Sequence, residues 1–261
     1  RVLSLEPGAV SSALATRSAP AQGGDVPTGG TDARGGAALF QPHHLDFPEF
    51  SPEQLARITQ QGIPILPSQR VTLTRLVKER GMVATGDVFE GQLEGIGRVA
   101  VKVYRSDSFK LLGLRYILPV SRPISTDPVD HFLDEVEGAQ RYQRLHIGPE
   151  FYGIADFGSG VKAYVMEWIH GFEPLELRPA DALELITEER IRQAREMAQR
   201  LADDGYVDWD AQLLMVTEDG GGRDRGGMVL VDPEFLLPVE ASPPYDAASM
   251  LNLVEQTLRG A

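Results

Sequence analysis

The stretch GRVAVKVYR, residues 97 to 105, sets a charged residue, Lys102, in the middle of an apolar run. Side chains alternate along a strand, so Val99, Val101 and Val103 share one face while Ala100, Lys102 and Tyr104 share the other. A lysine on the second face is either a solvated surface residue or a cation aimed at an anionic ligand. The chain holds only four lysines, at positions 78, 102, 110 and 162, which makes the placement of this one informative.

Working outward, short apolar segments separated by glycine precede and include it. VTLTRLVKERG (71–81), GDVFEGQLE (86–94) and GRVAVKVYR read as three consecutive strands of an antiparallel meander. DPVDHFLDEVEGAQRYQRLHIG (127–148) then reads as a helix ending before Gly148, followed by two strands, EFYGIADFG (150–158) and VKAYVMEWI (161–169). ADALELITEERIRQAREMAQRLADDG (180–205) predicts one or two amphipathic helices. Two short strands, LLMV (213–216) and MVLVD (228–232), and a last helix, DAASMLNLVEQTLRG (246–260), complete the pattern. Upstream, FSPEQLARITQQG (50–62) carries the marks of a short helix: Ser51 as cap, Pro52 at the first position, Gln54 closing a capping box, Gly62 as stop. Residues 1 to 40 are rich in Gly, Ala, Ser, Pro and Thr and offer little to bury, which predicts a disordered leader dispensable for folding. Such a segment suits a linker, a pro-segment or the export region of a secreted effector.

The 261 residues are 42% hydrophobic and 24% charged, enough for one mid-sized domain with a true core. With 25 Lys and Arg against 38 Asp and Glu, the formal net charge is -13, and no basic patch offsets it. This argues against nucleic acid and anionic membranes as partners. No apolar run reaches the ~18 residues needed to span a bilayer. The chain therefore reads as soluble, either cytoplasmic or delivered into another cell as an effector. Cysteine is absent, so disulfides and thiolate chemistry are excluded. His43, His44 and Asp46 lack a further spaced ligand for a metal site, and no histidine-based nucleophile arrangement is present. The glycine-rich 218–227 stretch, with Arg223 and Arg225, reads as a loop between strands.

Before Lys102, Gly81, Gly86, Val88 and Gly91 fit the spacing G-x-x-x-x-G-x-V-x-x-G, with Val83 where a middle glycine is usual. VAVK (99–102) follows, and then a helix offering Glu135, with Glu137 as the alternative acid. This order resembles the N-lobe of the protein kinase superfamily over residues 71 to about 240. The resemblance implies an α+β, two-lobed fold: an extension at 41–70, a small antiparallel-sheet N-lobe at 71–170 and a reduced helical C-lobe at 171–261. It also implies roles. Lys102 would bind the α- and β-phosphates of ATP, and Glu135 would orient it. Gly81, Gly86 and Val88 would cover the nucleotide. Backbone groups of Glu167, Trp168 and Ile169 would meet the adenine edge, with Met166 setting pocket depth; Trp168 reads equally as a core aromatic. In LADDGYVDWDAQLLMV, Asp208 and Trp209 replace the His and Arg of H-R-D while Asp210 keeps the catalytic aspartate position. In MVLVDPEF, Asp232 matches the Mg²⁺-binding aspartate of D-F-G, with Pro233 and Glu234 replacing Phe and Gly. The usual loop asparagine has no counterpart, and Gln212 is the nearest amide oxygen for the metal.

There is no A-P-E motif, and only 29 residues follow Asp232, too few for a peptide-holding subdomain. The expected function is ATP- and Mg²⁺-dependent phosphoryl transfer to a protein or small-molecule hydroxyl. The rival is a pseudokinase that binds nucleotide or partner proteins without turnover. A small-molecule kinase akin to the antibiotic and sugar phosphotransferases also fits the missing A-P-E.

Overall fold

The computed structural model describes residues 49–78, 86–104, 127–157, 161–172, 187–208, 212–216, 227–233 and 236–239. The leader, Gly81, Asp210 and the last expected helix lie outside them. Helix α1 (Pro52–Gln60) begins as the sequence predicts. The Ser51 hydroxyl accepts from the Gln54 amide, and the Gln54 side chain accepts from the Ser51 amide at 2.9 Å. Gly62, at a φ of 64°, follows its end.

A short strand, β1 (Ile65–Leu66), leads into the meander β2 (Val71–Lys78), β3 (Gly86–Leu93) and β4 (Gly97–Tyr104). Helix α2 (Pro128–Arg144) is capped by Asp127, whose carboxylate accepts from the Val129 amide at 2.8 Å. Strands β5 (Phe151–Asp156) and β6 (Lys162–Glu167) then return to the sheet, giving the order β1-β5-β6-β4-β3-β2. All neighbours are antiparallel except β1 and β5. The fold is mixed α+β.

Alternation gives this sheet two different faces. Val99, Val101 and Val103 join Val71, Leu73, Phe89, Leu93, Ala155, Ala163 and Val165 in a cluster built only from strand residues. The other face meets α2: Tyr104 and Tyr164 pack with Phe132, Leu133, Val136 and Ala139, and Ile58 and Ile63 of the α1 region close the same cluster. Burying valines on one side and α2 on the other leaves no solvated face at the centre of β4.

The sequence suggests a mainly helical second half, of which the expected last helix lies outside the described residues. Among the described residues it holds one helix, α3 (Glu188–Asp203), and five short strands: β7 (Gly171–Phe172), β8 (Tyr206–Asp208), β9 (Gln212–Val216), β10 (Met228–Val231) and β11 (Leu236–Pro238). They form a β10-β9-β7 sheet and a β11-β8 pair. Segments of two to five residues are too short to show a period, which hides three of these strands in the sequence. The core beside α3 also draws in Tyr142 and Ile147 from the end of α2, and the Leu230 amide donates to the Ile147 carbonyl at 2.7 Å. Residues before position 171 are therefore part of this second core.

Candidate functional site

Lys102 lies on β4 opposite Val88 of β3 and Tyr164 of β6, on the face toward α2. It is 2% exposed, so the solvated-lysine alternative fails. Its ammonium donates to Glu135 Oε1 at 2.6 Å and to Asp232 Oδ1. Glu135 projects from the buried side of α2 and accepts two further hydrogen bonds, from the Tyr164 hydroxyl at 2.7 Å and from the Tyr104 hydroxyl. One carboxylate thus receives an ammonium and two phenols from adjacent strands. Burial by itself pushes the Glu135 carboxyl up, but the Lys102 charge and the three donated hydrogen bonds prevail and hold it below its ordinary range. Burial beside these carboxylates pushes the Tyr142 and Tyr164 hydroxyls well above theirs, so both remain protonated donors.

Asp232 follows directly on β10 and has a φ of 59°. Aspartate tolerates this left-handed conformation better than most residues, and the reversal turns its carboxylate to Lys102. Its side chain is 17% exposed, against 2% for Lys102 and 0% for Glu135, so it is the solvent-reachable member of the triad. Pro233 packs against α2 at Gly138, where a Cβ would lie 2.7 Å from the proline Cβ. Gln212 sits opposite Val231 across β9 and β10, one residue from Asp232.

The structure adds residues that the sequence reading did not single out. Asp208, read there only as the replacement for a loop histidine, is buried and accepts a hydrogen bond from the Tyr142 hydroxyl, tying β8 to α2. Tyr104 was legible as a same-face neighbour of Lys102, two residues on. Tyr164 was not, because its approach depends on the β4–β6 register, which no local pattern encodes.

Of the candidate nucleotide-covering and hinge residues, Gly86 and Val88 fall beside this cluster, whereas Glu167 pairs with Val99, three residues along β4 from Lys102. Gly86 is the first residue of β3, and a Cβ there would meet the Val103 carbonyl at 2.7 Å and Lys102 Cγ at 3.2 Å. Val88 is half-buried on the Lys102 face. Glu167 ends β6, fixed by its amide donating to the Glu150 carbonyl at 2.7 Å and its side chain accepting from the Glu150 amide at 3.1 Å. Ile169 follows, half-buried. Among the described residues, half-buried Trp168 joins none of the three core clusters; the Arg98 guanidinium lies 4.4 Å from its ring centre, and its buried Nε1 finds no hydrogen-bond partner there. Met166 lines a small cavity of about 10 Å³ with Tyr142, Phe151 and Asp232, hardly room for one water.

Chemically the site offers a dry ammonium, fixed by one inaccessible carboxylate and touched by a more exposed one. Such a cation is ready to meet an anion that displaces the exposed partner. Oxygen donors at Asp232 and Gln212 are of the hard type that Mg²⁺ takes, although the described residues contain no cluster of three or more acidic or histidine side chains suited to a metal. No helix among the described residues is long and apolar enough to cross a membrane. The chain matches no family model and no curated protein sequence.

Proposed function

We propose that the protein binds ATP with Mg²⁺ and transfers a phosphoryl group to a hydroxyl of a protein or small molecule. The observation that carries this reading is the buried Lys102 ammonium, bound to Glu135 from one side and to Asp232 from the other. Supporting it are the three-strand meander that presents Lys102 and the helix between β4 and β5 that presents Glu135. Lys102 would hold the nucleotide phosphates, Asp232 and Gln212 the metal, and the Glu167–Ile169 backbone the base, while Val88 packs against it. Bound Mg²⁺ would supply charge neutralisation for the transferred group. Asp210, outside the described residues, would accept the proton of the incoming hydroxyl. Glu135 would keep Lys102 charged and pointed without touching the ligand.

A nucleotide-binding module without turnover is the second reading. It is favoured by Asp208, whose carboxylate is engaged by Tyr142 inside the protein at the position where the kinase loop carries histidine. Transfer from γ-labelled ATP to a cell lysate, with protein and small-molecule products separated, distinguishes the two. Under the transfer reading, Asp210→Ala abolishes labelling and keeps Mg²⁺·ATP binding, whereas Asp232→Ala loses both. Binding without any transfer in the parent leaves the second reading; no binding at all removes both.

A further inference from the structure

Helix α2 and its N-cap carry a stripe of four acids, Asp127, Asp130, Asp134 and Glu137, spaced three, four and three apart on one side. Asp127 and Asp130 sit at the helix N-terminus, where acids are favourable, but the like charges further along, at Asp134 and Glu137, weaken a helix. Helix α1 lies across the stripe with a matching pair of donors one turn apart. The Gln54 amide reaches Asp130 at 2.9 Å and Asp127 at 3.4 Å. The Arg57 guanidinium forks between Asp134 at 2.5 Å and Glu137 at 2.6 Å. These last two acids flank Glu135 in sequence, so Arg57 grips the turn of α2 that carries the Lys102 partner. Beneath the fork, Ile58 and Ile63 are buried against the residues of α2 that face the sheet. The ion pairs raise the Arg57 pKa despite the opposing effect of burial, so the fork is charged throughout the usual pH range.

We propose that α1 is a built-in brace for the candidate site, with Arg57 a positioning residue that holds Glu135 on Lys102 through Asp134 and Glu137. The functional consequence rests on the phosphate-binding reading above: loosening this turn frees the ammonium from its fixed direction and weakens Mg²⁺·ATP binding. The brace comes from the same chain, so whatever displaces α1 would act on Lys102 from outside the cleft.

The test is residue-resolved labelling of the full chain with an amine-reactive ester, read by mass spectrometry, on the parent, Arg57→Ala, Arg57→Met and Arg57→Lys. Global stability, from urea titration of the same variants, is the reference; Lys162 cannot serve, because it pairs with Glu49 and lies 5.0 Å from the Phe50 ring at the start of the α1 segment. Losing a partly exposed forked ion pair corresponds to a change of roughly fivefold in a local opening equilibrium. Lys102 labelling is therefore expected to rise about fivefold in the Ala and Met variants, beyond what any change in global stability accounts for, and to return toward the parent rate in Arg57→Lys. A rise fully matched by the loss of global stability would mean general destabilisation, and no rise would mean that Arg57 does not act on Lys102; either result overturns the proposal. Calorimetry with Mg²⁺·ATP on the same proteins reads the consequence separately. If the parent binds no Mg²⁺·ATP, the phosphate-binding reading falls and the labelling still decides the brace. If the parent binds and Arg57→Ala binds equally well, the brace has no bearing on the site.

Discussion

At the scale of single residues, Lys102 is the positive partner of a carboxylate that water cannot reach. The valine face of β4 suggests that Lys102 could be replaced with the fold intact, but the structure argues otherwise. Lys102→Met would leave Glu135 buried without its counter-ion, a situation that typically costs about 3 to 5 kcal/mol. Urea titration at pH 7 should show a loss of that order, and adding Glu135→Gln should recover much of it, since a neutral amide needs no counter-ion. The parent carboxyl is held below its ordinary range, so its contribution is present above an unfolded value of about 4.3 and lost as pH falls through the lower folded value. The phenols act at the opposite end. The Tyr142 and Tyr164 hydroxyls are raised in the folded state, so their stabilisation is complete below about pH 10 and is lost as pH rises past it. Thermal melts between pH 8 and 11 should therefore show a falling midpoint above about pH 10, with a shallower fall in Tyr142→Phe.

At the scale of elements, the site depends on how closely α2 approaches the turn after β10. Gly138 is a poor helix residue, and replacing it with alanine at an open position would gain about 1 kcal/mol. Here the added methyl would press on the Pro233 ring, with contacts of 2.7 and 3.0 Å to its Cβ and Cγ. A proline ring has little freedom to yield, and it is bonded to Asp232. Gly138→Ala should therefore lose about 1 to 3 kcal/mol net in spite of the better helix propensity. Mg²⁺·ATP affinity, measured by calorimetry, should fall with it if Asp232 is displaced from Lys102. Equal or greater stability would show that α2 and the turn can separate without strain. The glycine was visible in FLDEVEGAQRYQRL, but its reason was not, because Pro233 lies 95 positions away in the chain.

At the scale of the whole molecule, α1 and β1 are structural parts of the domain. Ile58 and Ile63 are nearly fully buried, and burying each is worth about 2 kcal/mol. The Ile154 amide also donates to the Pro64 carbonyl at 2.8 Å, fixing the segment to the sheet edge. Removing residues 1–40 should shift the melting temperature by less than about 3 °C, whereas removal through residue 66 should lower it by more than about 10 °C. A large loss from the shorter deletion would overturn the reading of the leader as dispensable.

What the sequence determined by itself is local. Capping chemistry at Ser51, Pro52 and Gln54 is written within four residues, and α1 forms as that pattern requires. Alternation in VAVKVY set Lys102 against the valines, and the spacing of FLDEVEG put Glu135 on a helix, because periods of two and 3.6 residues follow from backbone geometry alone. The resemblance that singled out Lys102, Glu135 and Asp232 also named three groups that the folded chain brings into direct contact. The tertiary structure decided what surrounds them. Whether Lys102 is dry, which strand sets Tyr164 beside it, why Asp208 is met by Tyr142, and that α1 lies on the acidic stripe of α2 all depend on contacts between residues 29 to 80 positions apart. Such contacts are fixed by strand register and by closure of a common core, quantities that no window of sequence contains.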